Sequence, residues 1–294
     1  KYVVDRWDEK TAKLYGIGFA KDSWNDLLNH AKAAGWNLEL LEELGMLNRK
    51  ENSDHVYDTF RGRIMIPIRD RWGNIIAFTG RDTTKQDNVA KYMNNKENFM
   101  YSKGKTLFGI DRAYVMASKE RKVYVMEGAP DVLRMNKITA SNSVASLGTA
   151  FTSEQYDLLK KMNVETICFI PDQDEPGLKA LNKNAMNAIR KGFGVSVKNI
   201  PTTPGVKEDA DSYFKNAEMF EYLPEEDFIV LYAQSRLKKD NSISENNQRL
   251  EEIAAILSWI PSEGTRESYV TRLTKIYGKT NVWKKPIAQC NKAA

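Results

Sequence analysis

The stretch from Lys122 to Asp211 reads KVYVMEGAPD at 122–131, TICFIPDQDEPG at 166–177 and, after the apolar run VSVKNI at 195–200, EDAD at 208–211. Each of its three apolar runs leads, directly or after a loop, into acidic residues. Short apolar runs that alternate with helical patterns are typical of a parallel α/β unit. Ligands of an open parallel sheet bind beyond the carboxyl ends of the strands. We therefore expect the carboxylates to lie together at one sheet edge.

Carboxylates gathered in this way repel one another, by about 4 kcal/mol for two that lie ~4 Å apart at the effective dielectric of a protein surface. Proton sharing, basic partners or divalent cations can hold them together. Ligands that are all oxygen atoms suit Mg²⁺ or Mn²⁺, and magnesium usually binds through one or two carboxylates plus substrate phosphates. The pattern predicts a metal-assisted phosphoryl or nucleotidyl reaction.

The composition fits a protein of the reducing cytoplasm with no membrane anchor. The chain has 294 residues, 41% of them hydrophobic, and no apolar run is long enough to span a bilayer. Its two cysteines, Cys168 and Cys290, are too few for a disulfide framework. Neither they nor His30 and His55 are spaced like the ligands of a zinc finger.

The net charge of +5 arises from one block, Val56–Ser118, which contains 11 Lys/Arg and 6 Asp/Glu, while the rest of the chain is balanced. Aromatic residues such as Tyr92 and Phe108 are interleaved with these charges. Any single Lys or Arg is more simply a solvated surface residue. A whole block of this kind favours a polyanionic partner.

Periodicity divides the chain into a basic α/β subdomain at 1–118, an α/β catalytic subdomain with a parallel sheet at 119–218 and a helical bundle with a tail at 219–294. In the first, Trp24, Leu27, Leu28, Ala31 and Ala34 recur at helical spacing, which predicts a core-facing helix capped by Ser23. Residues 64–68 and 75–78 predict a β-hairpin.

Local signals place the elements of the acidic stretch. We predict strands near 123–126, 143–146, 166–170 and 195–200, and helices near 130–137, 152–162, 177–191 and 211–215. Thr152 and Gln155 match a capping box, and Pro130 and Pro176 occupy positions that suit the first turn of a helix. The segment Pro224–Trp283 is predicted to be purely helical, with breaks near Asp240 and Pro261, and is followed by the basic tail Trp283–Pro286.

Four acidic-stretch motifs together resemble the TOPRIM fold: Glu127-Gly128-x-x-Asp131, Ala145-Ser146-Leu147-Gly148-Thr149, Asp172-x-Asp174-x-x-Gly177 and Asp209-x-Asp211. Upstream motifs resemble the RNA polymerase domain of a bacterial or phage DnaG-type primase. These are Ile17–Ala20, Phe60-Arg61-x-Arg63 with Ile64–Asp70, Gly80-Arg81, Lys91–Asn94 and Lys103-Gly104-x-x-Leu107-Phe108-Gly109.

The resemblance implies synthesis of short RNA primers on a single-stranded DNA template from ribonucleoside triphosphates, with Mg²⁺ or Mn²⁺. It also implies a replicative helicase partner and a zinc-binding module outside this sequence. The implied metal-site residues are Glu127, Asp131, Asp172, Asp174, Asp209 and Asp211, of which Glu127, Asp172 and Asp174 are the candidate catalytic residues. The implied DNA- and nucleotide-binding residues are Arg61, Arg63, Arg81, Lys91, Asn94 and Lys103.

Four departures from the usual family motifs indicate a diverged, phage-like or mobile-element member, the mildest being Ala210 in place of proline in the third acidic motif. Ala129-Pro130 replaces Tyr-Met, Glu175-Pro176 replaces Arg-Ala, and Thr79 replaces the first glycine of Gly-Gly-Arg. The change of a basic residue to Glu175 leaves open a DNA-binding replisome component without turnover. A TOPRIM nuclease or topoisomerase is the other alternative, although the sequence shows no further domain to deliver the tyrosine nucleophile of a topoisomerase.

Overall fold

The computed structural model describes residues 2–138, 141–148, 150–202, 208–237 and 243–277. The chain divides into two compact units. The first unit comprises Lys1–Met116 and Met126–Leu158, and the second comprises Ala117–Val125 and Leu159–Ala294. Several features expected from the sequence lie outside the described residues: Thr149, the loop at 203–207, the break at Asp240, the Trp283–Pro286 tail and Cys290.

The first 120 residues form four α-helices, six strands and one 3₁₀ helix within their described part. They are α1 (Tyr2–Tyr15), β1 (Gly18–Ala20), α2 (Asp26–Ala33), α3 (Leu38–Glu43), β2 (Leu47–Arg49), β3 (Val56–Asp58), β4 (Arg63–Arg69), β5 (Ile75–Asp82), β6 (Tyr92–Asn94), the 3₁₀ helix Lys103–Lys105 and α4 (Ile110–Glu120).

The first unit is built on an antiparallel sheet of order β1-β4-β5-β6. Its centre is the predicted hairpin, in which Ile66 pairs with Thr79 and Ile68 with Ala77. Ile66 and Ile68 are fully buried, so the apolar run that predicted β4 forms the core. The strands β1 and β6 were not predicted; they become evident from their pairing with β4 and β5.

The start of α2 differs from the prediction. Ser23 is not its cap: the N-cap position is Asn25, which makes no side-chain capping hydrogen bond. Instead, the buried carboxylate of Asp58 accepts hydrogen bonds from the backbone N–H groups of Leu27 (2.7 Å) and Leu28 (3.0 Å). A residue about thirty positions away thus satisfies the free N–H groups of this helix end. Trp24, predicted to be core, precedes the helix and is 57% exposed.

The remaining described chain alternates strands and helices and then becomes helical. Its elements are β7 (Lys122–Met126), α5 (Ala129–Ile138), β8 (Ser143–Ala145), α6 (Ser153–Lys161), β9 (Thr166–Phe169), α7 (Glu175–Arg190), β10 (Gly194–Val197), α8 (Ala210–Tyr213), α9 (Ala217–Tyr222), β11 (Glu226–Asp227), α10 (Phe228–Arg236), α11 (Ile243–Ser258) and α12 (Glu263–Tyr277). No helix among the described residues has both the length and the apolar character needed to cross a membrane.

In the second unit, β7, β9 and β10 are parallel and adjacent, as the sequence predicted. Val125 pairs with Phe169, and Phe169 also pairs with Val197. The expectation that the chain is purely helical after Pro224 is wrong, because the two-residue strand β11 first pairs antiparallel to β10. Three helices, α10 to α12, then follow as predicted. The mixed α/β class with a parallel sheet is confirmed.

Candidate functional site

The acidic pair Asp172 and Asp174 follows β9 in the second unit. Asp174 is the N-cap of α7, and its Oδ1 accepts a hydrogen bond from the backbone N–H of Gly177 at 2.8 Å. Pro176 lies in the first turn of that helix, as predicted. Both aspartates are half-buried. A cap uses one carboxylate oxygen for the helix, and the partial positive charge of the helix N-terminus favours the ionised form.

The second acidic segment starts α8. The N–H of Ser212 donates to Asp209 Oδ1 at 2.7 Å, and the N–H of Asp209 donates to Ser212 Oγ at 3.0 Å, which completes a reciprocal capping box. Ser212 Oγ also donates to Glu208 Oε2 at 2.5 Å. Asp211 is almost fully buried. The acidic segment is therefore fixed by short, local hydrogen bonds.

One backbone hydrogen bond joins these two acidic segments of the second unit. The N–H of Gln173 donates to the carbonyl oxygen of Glu208 at 3.3 Å. Because β9 and β10 are parallel, the segments that follow them leave the sheet at the same edge. The predicted association of Asp172 and Asp174 with the 208–211 segment is thus supported by the backbone.

Glu127 and Asp131 belong to the first unit. Glu127 directly follows the last residue of β7 and is half-buried. Asp131 is buried in the first turn of α5, and its Oδ2 accepts a hydrogen bond from the N–H of Gly128 at 3.1 Å. This contact closes the turn that directly follows Glu127 and contains Pro130. A helix-start role is therefore shown for Asp131.

The donor chemistry of these residues fits a hard divalent cation, since every candidate ligand is a carboxylate. Among the residues that the structure describes, however, no group of three or more His, Cys, Asp or Glu side chains is placed to hold a metal ion. Magnesium needs only one or two carboxylates when substrate phosphates and water complete its octahedron. The carboxylates thus fit a cation that binds together with a nucleotide.

In the first unit, Arg63 is buried and its Nη1 donates to the carbonyl oxygens of Gly80 and Ala90, each at 3.0 Å. Burial lowers the pKa of the guanidinium, and the nearby charge of Asp82 acts in the opposite direction. Arg63, which was predicted to contact nucleic acid, therefore links β5 to Ala90.

Arg61 is arranged differently. Its guanidinium lies 3.8 Å from the centroid of the Trp24 ring and 5.6 Å from that of Tyr57, and it donates to the carbonyl oxygen of Asp58. His55 continues the series, with its ring 6.0 Å from Tyr57. We call Trp24, Tyr57 and Arg61 the aromatic platform. Sequence analysis missed Trp24 and Tyr57 because helical spacing assigned the first to the core and an isolated tyrosine carries no signal.

The next three predicted contact residues lie on or beside the antiparallel sheet: Arg81 in β5, Asn94 in β6 and Lys91 directly before β6. Arg81 donates to the hydroxyl of Tyr92 at 2.8 Å and lies over the ring of Tyr2. Lys91 is exposed, and Asn94 pairs with Thr79 in β6. These positions give exposed or half-buried polar groups along one end of the antiparallel sheet.

Lys103 is exposed on the 3₁₀ helix of the first unit, and the confirmed capping box of α6 fixes its backbone. Thr152 N donates to Gln155 Oε1 (3.0 Å), Gln155 N donates to Thr152 Oγ1 (3.2 Å), and Gln155 Nε2 donates to the Lys103 carbonyl (3.1 Å). A Cβ on Gly148 would lie 3.8 Å from Lys103 Nζ. The Lys103 side chain therefore passes in ordinary van der Waals range of the backbone at Gly148.

Comparison with known proteins yields two family matches. Residues 1–114 match the DNA primase catalytic core, N-terminal domain, and residues 124–214 match the Toprim-like family. A curated DNA primase of Deinococcus radiodurans is 35% identical over 204 residues, which are 69% of this chain and 35% of that protein. The chain thus spans about a third of the length of the curated relatives it matches.

Solved structures extend the similarity to nearly the whole chain. A DNA primase domain from Pseudomonas aeruginosa is 29% identical, with a TM-score of 0.80 over 99% of this chain and 92% of that one. A DnaG primase catalytic domain bound to single-stranded DNA is 26% identical, with a TM-score of 0.81 over 96% and 89%. A primase of Aquifex aeolicus that contains zinc-binding and RNA polymerase domains is 25% identical, with a TM-score of 0.77 over 97% and 68%.

Proposed function

This chain belongs to the family of DnaG-type primase catalytic cores, and from that premise we propose that it synthesises short RNA primers on single-stranded DNA. The observation that supports this most strongly is the match to a DnaG catalytic domain bound to single-stranded DNA over 96% of the chain. Two family matches agree with this proposal: the first covers the strands of the antiparallel sheet, and the second covers the parallel strands.

The proposed reaction is nucleotidyl transfer. The 3′-oxygen of the growing primer attacks the α-phosphorus of a ribonucleoside triphosphate, a new P–O bond forms, and the bond to the departing pyrophosphate breaks. The attacking hydroxyl gives up its proton, for which Glu127 is the candidate acceptor. Asp172 and Asp174 are the other candidate catalytic residues.

We propose that Asp131, Asp209 and Asp211 join those three as the residues that hold Mg²⁺ or Mn²⁺. When bound, such an ion neutralises phosphate charge and lowers the pKa of the attacking hydroxyl. The caps described above support this assignment, because they fix the carboxylates of Asp174 and Asp209 before any ligand arrives.

The candidate nucleic-acid and nucleotide contacts are Arg61, Arg81, Lys91, Asn94 and Lys103. Arg63 is a further candidate, and its side chain is buried. Cations of this kind give binding that is salt-dependent and largely independent of sequence. The exposed ring of Trp24 adds a face on which a base can stack, worth about 1–3 kcal/mol per base.

The proposal also includes a cellular location and two partners. We propose a cytoplasmic enzyme, phage-encoded or bacterial, that acts with a replicative helicase and a zinc-binding module. The combination of zinc-binding and RNA polymerase domains in the Aquifex aeolicus primase supports the second partner. We also retain 1–118, 119–218 and 219–294 as the functional divisions of the chain.

Primer synthesis on a single-stranded template, with labelled ribonucleotides and magnesium or manganese, tests the function. Wild-type protein is expected to make short RNA, and Asp172→Ala is expected to make none while it still binds the template. DNA cleavage in place of synthesis would indicate the nuclease or topoisomerase alternative. Template binding with no product from wild type, including after addition of a zinc-binding module, would indicate a binding component that lacks turnover.

A further inference from the structure

A cavity of about 430 Å³ lies in the first unit between β1, α2 and the hairpin β4–β5. We call it the β1–α2 cavity. Its volume falls within the range of about 300–1,000 Å³ that is usual for sites of small organic ligands. Apolar side chains form most of its lining, including Phe19, Leu27, Met46, Phe60, Met65 and Phe78. Three of these are aromatic, which suits a flat, aromatic occupant.

Polar groups also line the cavity and remain open to solvent. Lys21 Nζ donates to Asp26 Oδ1 at 2.9 Å, and the two side chains are 71% and 45% exposed. The backbone of Lys21 is fixed, because its carbonyl oxygen accepts a hydrogen bond from the N–H of Gly62. The pair offers one donor and one acceptor, and His30 adds a third polar group. Base edges carry groups complementary to these.

The cavity adjoins the aromatic platform through Asp58. Asp58 lines the cavity, its N–H donates to the carbonyl oxygen of Trp24 at 2.8 Å, and its own carbonyl oxygen accepts from Arg61. Its carboxylate also caps α2, which places Asp26 and Leu27 in the cavity wall. One buried residue therefore connects the platform to the cavity.

We propose that the β1–α2 cavity takes one unstacked nucleobase of the single strand that stacks on Trp24 and Arg61. Proteins that recognise single strands hold splayed bases on aromatic side chains and read their edges by hydrogen bonds. A stacking platform accepts any base, whereas a cavity with a polar rim discriminates among them. The inference rests on the proposed function and adds to it a site of base preference.

Fluorescence anisotropy with labelled strands of about 12 nucleotides, within the usual range of site sizes, tests this. The three probes are oligo-dT, oligo-dC and oligo-dA. The variant Gly18→Leu obstructs the cavity: Gly18 lines it, and an added Cβ meets nothing within 4 Å. Gly264→Leu, where a Cβ also meets nothing within 4 Å, controls for the added bulk in the second unit. Lys21→Met removes the donor from the rim.

For wild type and Gly264→Leu, we expect Kd to differ at least about five-fold between the tightest and weakest strand, since hydrogen bonds to a base edge discriminate between bases. Gly18→Leu should reduce that spread to about two-fold or less by weakening the tightest strand. Lys21→Met should change which strand binds best. Equal affinity of wild type for all three strands, or an unchanged spread and order in both cavity variants, would overturn the inference and leave template binding intact. Absence of binding to every strand would instead overturn the proposed function.

Discussion

In the first unit, Arg63, a candidate nucleic-acid contact, reaches across the sheet and donates to carbonyl oxygens 17 and 27 residues away. In the second unit, Asp174, a candidate metal ligand, accepts a hydrogen bond from an N–H only three residues away. Both charges are held by backbone groups. The first contact is part of the tertiary fold, whereas the second belongs to one turn of one helix.

This difference determines at which residues the charge can be removed by substitution without a loss of stability. A cap has a neutral substitute of the same shape, because asparagine is as good an N-cap as aspartate. A buried guanidinium that holds two carbonyl groups has none. We therefore expect charge and fold to be separable in the second unit and inseparable at Arg63.

The largest expected effect is on catalysis at Asp174. Asp174→Asn should lower primer synthesis by about 10³-fold, because the charge that is proposed to hold the cation is lost. The free energy of unfolding should change by less than about 0.5 kcal/mol, because the amide oxygen still caps α7. Asp174→Ala should lose the same activity and about 1 kcal/mol of stability as well. Full activity of the asparagine variant would show that the carboxylate charge is not needed.

Arg63 should behave in the opposite way. Arg63→Met leaves the carbonyl oxygens of Gly80 and Ala90 without their charged donor in a buried site. We expect urea unfolding to show a loss of about 2–4 kcal/mol. Arg61→Met, which loses one backbone contact and a stacking contact at a half-buried position, should lose less than half of that. Equal stability of the two variants would show that the burial of Arg63 does not set its role.

Two exposed tryptophans, each beside an arginine, allow a matched test of the aromatic platform. The Arg61 guanidinium lies 3.8 Å from the Trp24 ring, and that of Arg71 lies 4.3 Å from the Trp72 ring at the hairpin turn. Trp24→Ala should weaken binding to single-stranded DNA about ten-fold, as expected for one lost base stack. Trp72→Ala should change Kd by less than about two-fold. If both variants weaken binding equally, any exposed tryptophan contributes to DNA binding, and the aromatic platform is not a specific site for the strand.

Sequence reasoning was accurate where the determining contacts are local. The runs 123–126 and 166–170 predicted β7 and β9 to within a residue at each end, and Thr152 with Gln155 predicted the capping box that is observed. The motifs at 172–174 and 208–211 placed the acidic segments of the second unit at strand and helix ends for the same reason.

It failed where a contact joins distant parts of the chain. Nothing near Ser23 indicates that Asp58 caps α2, or that Trp24 then lies outside the helix and pairs with Arg61. The short strands β1 and β11 are defined by their pairing with β4 and β10, which are distant in the sequence. The β1–α2 cavity depends on these same long-range contacts, so no local pattern could have indicated it.

The smallest expected effect tests a long-range charge contact in the second unit. Lys122 Nζ donates to Glu225 Oε1 (2.7 Å) and Oε2 (2.6 Å), and Ser196 Oγ donates to Oε1 (2.6 Å). Burial acts to raise the pKa of Glu225, but these hydrogen bonds outweigh it and leave the pKa below its ordinary value.

Because the pKa is lower in the folded protein, the contact stabilises it at and above about pH 4.5, and this stabilisation is lost as the pH falls through the folded value. The side chains are about a quarter exposed, so we expect less than about 1 kcal/mol. Thermal unfolding of wild type and Glu225→Gln should differ at pH 7, and the difference should shrink as the pH falls below the ordinary glutamate range and through the lowered pKa of Glu225. A difference that persists at low pH would mean that the glutamine variant is destabilised by packing and that the charge contributes nothing.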